Sequence, residues 1–184
     1  MEVAVNADLI DLFFLILCLR VIYISIAKGV VCEGFKIAGL LLGAFFAFQF
    51  HSFYEASNFK VAFLNNKYLE FISFASIFLS VNGIFSLLRL IVTSLFKRKD
   101  IPLGERWALL FVGGARAAFL LSLIIFLLHL SPLDSKYFTQ SISYGMFKGV
   151  APRYYLITFG MYKSFYPEAN LSQRVEEYLE QKEG

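Results

Sequence analysis

The chain has 184 residues, of which 58% are hydrophobic, 18% aromatic and only 17% charged, with a formal net charge of +3. A soluble domain of this size needs many more surface charges to stay in solution, so the composition argues against a soluble globular enzyme and makes lipid the expected solvent. A charge of +3 is also too small to suggest a nucleic-acid binder, and the one compact basic run, Lys97, Arg98 and Lys99, reads as a membrane topology signal.

The first apolar stretch runs from about Leu9 to Val31. An acidic start (Glu2, Asp8, Asp11) and the lack of a small-residue cleavage site after the stretch mark it as a retained helix rather than a removable signal. Asp8 and Asp11 share a helical face at its outer end and read as interface markers. Arg20 lies nearer mid-span, where an ionisable group is costly and a buried partner is expected; Gln49 or Asn82 on neighbouring helices could supply hydrogen bonds without a countercharge. Cys18 and Cys32 fit neither a zinc site nor a disulfide framework and read as packing residues.

A tight connection at Cys32, Glu33 and Gly34 leads to the second and shortest stretch, Phe35 to Phe53, which could form a helical hairpin with the first. Along it Gly39, Gly43 and Ala47 recur every fourth residue, a face on which another backbone can approach closely in lipid. The expected neighbour is the first or fourth helix, or a second copy of the chain. A third stretch covers Phe71 to Phe96 and a fourth Trp107 to Leu130. All four approach the roughly 20 residues that cross about 30 Å of hydrocarbon. Each must be helical, because a lone spanning segment has to satisfy its backbone internally and none alternates like a barrel strand.

Arg89 precedes the basic run by about two turns, and Arg116 follows Arg106 by under three, so both are within snorkelling reach of the inner interface. Arg116 also follows the thin Gly113, Gly114 patch. Its planar fork could instead hold a carbonyl, a carboxylate such as Glu33, or a lipid phosphate. Near the predicted outer ends lie His51 and His129, two ligands at most for a metal or proton site. No GxSxG, HExxH or Gly-rich phosphate loop occurs in the sequence. No catalytic, cofactor or metal residues are therefore assigned.

After Pro132 the apolar character drops, which divides the chain into a membrane domain, 1–132, and a non-spanning, partly amphipathic region, 133–184. There Tyr154, Ile157, Met161 and Phe165 recur near helical spacing, as on a helix lying on a membrane surface. The charged end from Leu171, with Arg174, Glu176, Glu177, Glu180 and Lys182, reads as solvated. Lys28 and Lys36 in the first connection and Lys97 to Lys99 with Arg106 in the third outweigh Lys60 and Lys67 in the second, which places both termini away from the cytoplasm. Phe50, Phe53, Tyr54, Phe59 and Phe63 fit an outer aromatic belt.

Two stretches together resemble the colicin V production (CvpA) family of bacterial inner-membrane proteins, over roughly the first 130 residues. In one, Asp8 and Asp11 open an apolar helix followed by Lys28, Gly29, Glu33, Gly39, Gly43 and Ala47. In the other, Arg106, Gly113 and Arg116 lead into the last span. The chain departs from the pattern at Glu105, Leu109 and Ala117. Composition and spans give an all-α, polytopic membrane protein; the resemblance implies a small inner-membrane protein needed for production or export of a peptide toxin in some bacteria, and the preferred reading is a non-enzymatic role in envelope or export processes. Its expected partners are the bilayer and either a second copy or other inner-membrane proteins. A small oligomeric channel or transporter lined by Arg20, Asn82 and Arg116 is the alternative, and an intramembrane enzyme a distant third.

Overall fold

The computed structural model describes residues 2–51, 66–95, 102–131, 140–168, 170–172, 175, 176 and 178. Described residues form helices and connections, with no strand among them. Four helices are long and apolar enough to cross a membrane: α1 (Glu2–Lys28), α2 (Val30–Phe50), α3 (Asn66–Leu95) and α4 (Leu103–Leu130). Two shorter ones follow, α5 (Ile142–Phe147) and α6 (Val150–Phe165). The chain is an all-α polytopic membrane protein. Phe53, Tyr54, Phe59 and Phe63, the run Lys97 to Lys99, and Arg174, Glu177, Glu180 and Lys182 lie outside the described residues or have undescribed side chains.

Helices adjacent in sequence are not the main packing partners. α1 lies along α4 and α2 along α3, whereas α1 and α2 touch little, so the expected close hairpin of the first two helices is absent. The break between them falls at Gly29 rather than at Cys32, Glu33 and Gly34, which belong to the first turns of α2. Gly29 has φ 82°, a left-handed conformation that a side chain would strain. Its carbonyl accepts the Glu33 N–H at 3.1 Å and so starts α2 at once.

α4 is the central helix, reaching α1, α2, α3, α5 and α6. The small-residue face of α2 meets α3, not α1 or α4. A Cβ built on Gly39 would come within 2.9 Å of Phe85, and one on Gly43 within 2.7 Å of Asn82. Without a hydrophobic force between helices in lipid, such close approach supplies the dispersion that holds the pair.

Toward the end of α2 the core becomes aromatic: Phe48 contacts Phe74, Phe126 and Tyr155 at ring-centroid distances of 5.2, 4.7 and 5.2 Å. α6 docks there through Ala151, Tyr155 and Phe159. Of the expected surface stripe, Ile157, Met161 and Phe165 point outward and only Tyr154 faces the bundle, its hydroxyl donating to the Leu41 carbonyl at 3.3 Å. The helix rotates this way because its opposite face offers rings that fill the groove between α2 and α4, and the Ser122 hydroxyl caps the Ala151 N–H at 2.8 Å.

Of the described residues from Leu171 onward, Glu176 is exposed as expected, but not all are solvated. Ser172, Val175 and Tyr178 are buried, with Tyr178 edge-on to Phe126 and to His129. Val175 and Tyr178 have a ready partner in the aromatic core, which outweighs the charge of their neighbours. Burial pushes the Tyr155 phenol up to about 12 and raises that of Tyr178 further. Asp11 ties α1 to this region by accepting the backbone N–H groups of Ile142 and Ser143 at 3.1 and 2.9 Å.

Candidate functional site

At the opposite end of the bundle a carboxylate is buried. Gly29 caps the start of α2, so Glu33 falls on the turn where its side chain faces α1 and α4, and it is only 1% exposed. Both oxygens are engaged. Oε1 accepts the Ser25 hydroxyl at 2.9 Å and a guanidinium N–H from Arg116, while Oε2 accepts Lys36 Nζ at 2.8 Å. A second arm of Arg116 reaches the Val21 carbonyl at 3.5 Å, a long contact. One carboxylate thereby joins α1, α2 and α4.

Arg116 can occupy this place because Gly113, one turn earlier, removes the side chain that would hold α1 and α4 apart. A Cβ there would lie 2.7 Å from Ser25 and 3.4 Å from the Ile22 Cα. Gly114, by contrast, faces open space, so only one residue of the glycine pair is a contact. Snorkelling does not describe Arg116, which is 9% exposed and bound. Desolvating these charges is expensive, and the several donors converging on Glu33 are what offset it.

The other sequence candidates separate from this centre. Gly39 and Gly43 serve the α2–α3 contact. Lys28 and Arg106 are exposed near the helix ends, while the neighbouring Glu105 accepts the Val30 N–H at 3.3 Å. Arg20 is exposed, not buried at mid-span, and makes no ion pair with any described residue. Its supposed partners are committed elsewhere: Gln49 to Tyr155 and the Asn170 carbonyl, Asn82 to the Phe78 carbonyl. Ser25 is a member that sequence reasoning missed, since a lone serine in an apolar helix carries no signal until Glu33 is placed opposite it. Lys36 had a signal, its spacing of three from Glu33, which was read only as topology.

Beside the network, α2, α3 and α4 line a half-open cavity of about 300 Å³. Lys36, Arg89, Arg116 and Asn82 contribute to its lining, together with apolar walls such as Phe35 and Phe85. Arg20 is not part of it.

The family model described as colicin V production protein matches residues 10–152, well over half of the chain. No curated protein and no solved structure matches significantly. The chain therefore belongs to the colicin V production family, and Glu33, Gly113 and Arg116 all lie inside the matched region.

Proposed function

We propose that this member of the colicin V production family is a non-enzymatic protein of the bacterial inner membrane that serves toxin production or export, or related envelope processes, with both termini in the periplasm. The observation that carries the reading is the family match over residues 10–152, which takes in most of the first apolar helix and all of the other three. Clustering of Lys28, Lys36 and Arg106 toward one end of those helices supports the orientation. On this reading the Glu33–Arg116 clamp holds α1, α2 and α4 in the geometry that export partners meet. The test is complementation of a colicin V-producing strain lacking its own family member, at matched membrane levels. The wild-type chain restores secreted toxin, Arg116→Ala does not, and Arg116→Lys fails in part because an ammonium cannot reproduce the paired geometry. Full rescue by both variants sinks the assigned role of the clamp, and failure of the wild-type chain sinks the function. For orientation, a reporter active only in the cytoplasm and fused after Gly184 should stay silent.

A second reading, a small channel or transporter, is favoured by the cavity that Asn82 and Arg116 share. Ion flux through the purified chain in liposomes, reduced by Arg116→Gln, would move the assignment to that class.

A further inference from the structure

Charge in the cavity does not balance. Lys36, Arg89 and Arg116 all line it, yet the two ion pairs among the described residues both end on Glu33. That carboxylate already accepts from Ser25, Lys36 and Arg116, and neither ion pair includes Arg89. Three cations beside one anion, set among apolar side chains, are costly unless a further anion joins them. The neutral donors nearby have the right chemistry too: Asn82 and Ser86 add an amide and a hydroxyl to the lining. Phe35, Leu40, Phe78, Phe85 and Leu120 form the apolar remainder. A soluble anion has no use for such walls, whereas a hydrocarbon chain does.

We propose that this cavity binds a phosphate group, held by Arg89, Arg116 and Lys36 and delivered as the headgroup of an anionic phospholipid whose acyl chain runs along the phenylalanine walls. Arg89, which makes no ion pair with a described residue, can turn toward the ligand, while Arg116 and Lys36 present the charge that Glu33 leaves uncompensated. Basic pockets between spanning helices suit phosphate headgroups because the guanidinium fork matches two phosphate oxygens and the low dielectric strengthens the contact.

The test uses the full chain in zwitterionic detergent, with native mass spectrometry and thermal melting in the presence of phosphatidylglycerol, phosphatidylcholine or inorganic phosphate alone. Phosphatidylglycerol should be retained in preference to phosphatidylcholine and should raise the melting temperature. Arg89→Gln removes no ion pair among the described residues, so it should fold; it should weaken phosphatidylglycerol retention about tenfold, the size of one charge-assisted contact, and leave phosphatidylcholine unchanged. Stabilisation by inorganic phosphate equal to that by phosphatidylglycerol, and lost in Arg89→Gln, supports the phosphate site and assigns it to a free ion. Equal retention of the two lipids by wild type, with no effect of phosphate, overturns the proposal. So does an Arg89→Gln protein that keeps the full preference for phosphatidylglycerol. None of these readouts depends on the role in toxin production.

Discussion

The same helices are joined by different physics at their two ends. Around Glu33 the contacts are few, polar and directional, with three donors converging on one carboxylate. Around Phe48 they are many, aromatic and interchangeable, with Phe74, Phe126, Tyr155 and Phe159 filling one continuous volume. In water both would be called core. In lipid they differ, because a ring leaving the aromatic cluster enters hydrocarbon that is as apolar as the cluster itself, whereas a charge leaving the network loses partners it cannot replace. The polar end is therefore the specific one, and the aromatic end a filler of space that also recruits α6 and the end of the chain.

The largest expected effect tests that contrast directly. Glu33→Ala leaves Arg116 and Lys36 without their carboxylate in a buried setting, at a cost of about 3 to 5 kcal/mol. Phe48→Ala removes a fully buried ring, but separated helices in detergent or lipid would not expose that ring to water. Only the cavity contribution remains, about 2 kcal/mol. Melting of the two variants in one detergent should rank Glu33→Ala below Phe48→Ala. The reverse ranking would mean that packing, not the ion network, dominates this bundle.

A third variant pair sharpens the account of why Arg116 can reach Glu33. Gly113→Ala must push Ser25 or the α1 backbone away, which loosens the Ser25–Glu33 bond and costs about 1 to 2 kcal/mol through overpacking. Gly114→Ala meets nothing within 4 Å and gains helix propensity of roughly 1 kcal/mol. One glycine should therefore be sensitive to substitution and its neighbour tolerant or improved, as read by thermal melting. Equal effects would detach Gly113 from the site.

The polar end was the more legible of the two in sequence. Charges are rare in a chain with 17% Lys, Arg, Asp and Glu, so Glu33 and Arg116 stood out, and Glu33 was among the partners foreseen for Arg116. The four spans were also readable from length and hydropathy. Helix pairing was not, because every span is apolar around most of its surface and nothing in the order of helices requires neighbours to pack. Arg20 misled for a related reason: depth along the sequence does not say which side of a helix faces the bundle. The aromatic end stayed hidden because 22 phenylalanines make no single one informative. Tail docking was obscured by the charges around Val175 and Tyr178, which masked the two side chains that face inward.

The smallest expected effect concerns the docked tail. Tyr155 reaches from α6 to donate its hydroxyl to Gln49 Oε1 at 2.7 Å, and its oxygen accepts the Ser172 N–H at 3.2 Å, so one phenol holds α2, α6 and the end of the chain. Tyr155→Phe keeps the ring in place and removes both bonds, a loss of about 1 kcal/mol. Its signature should be in pH rather than in melting at neutrality. Burial raises the Tyr155 phenol from its ordinary value of 10.0 to about 12, so the phenol holds its proton more tightly while buried under the docked tail than once the tail is released. The associated stability is complete below pH 10 and is lost as pH rises through about 12, because only the released phenol ionises readily in that window. Tyr178, raised in the same direction by burial, should add to the loss. Limited proteolysis after Phe165 should then accelerate in the wild-type chain between these pH values. In a Tyr155→Phe, Tyr178→Phe double variant, cleavage should begin faster at neutral pH and change little with alkali. If the wild-type and double-variant profiles rise together, alkaline release is driven by groups elsewhere, and the aromatic end holds the tail by shape alone.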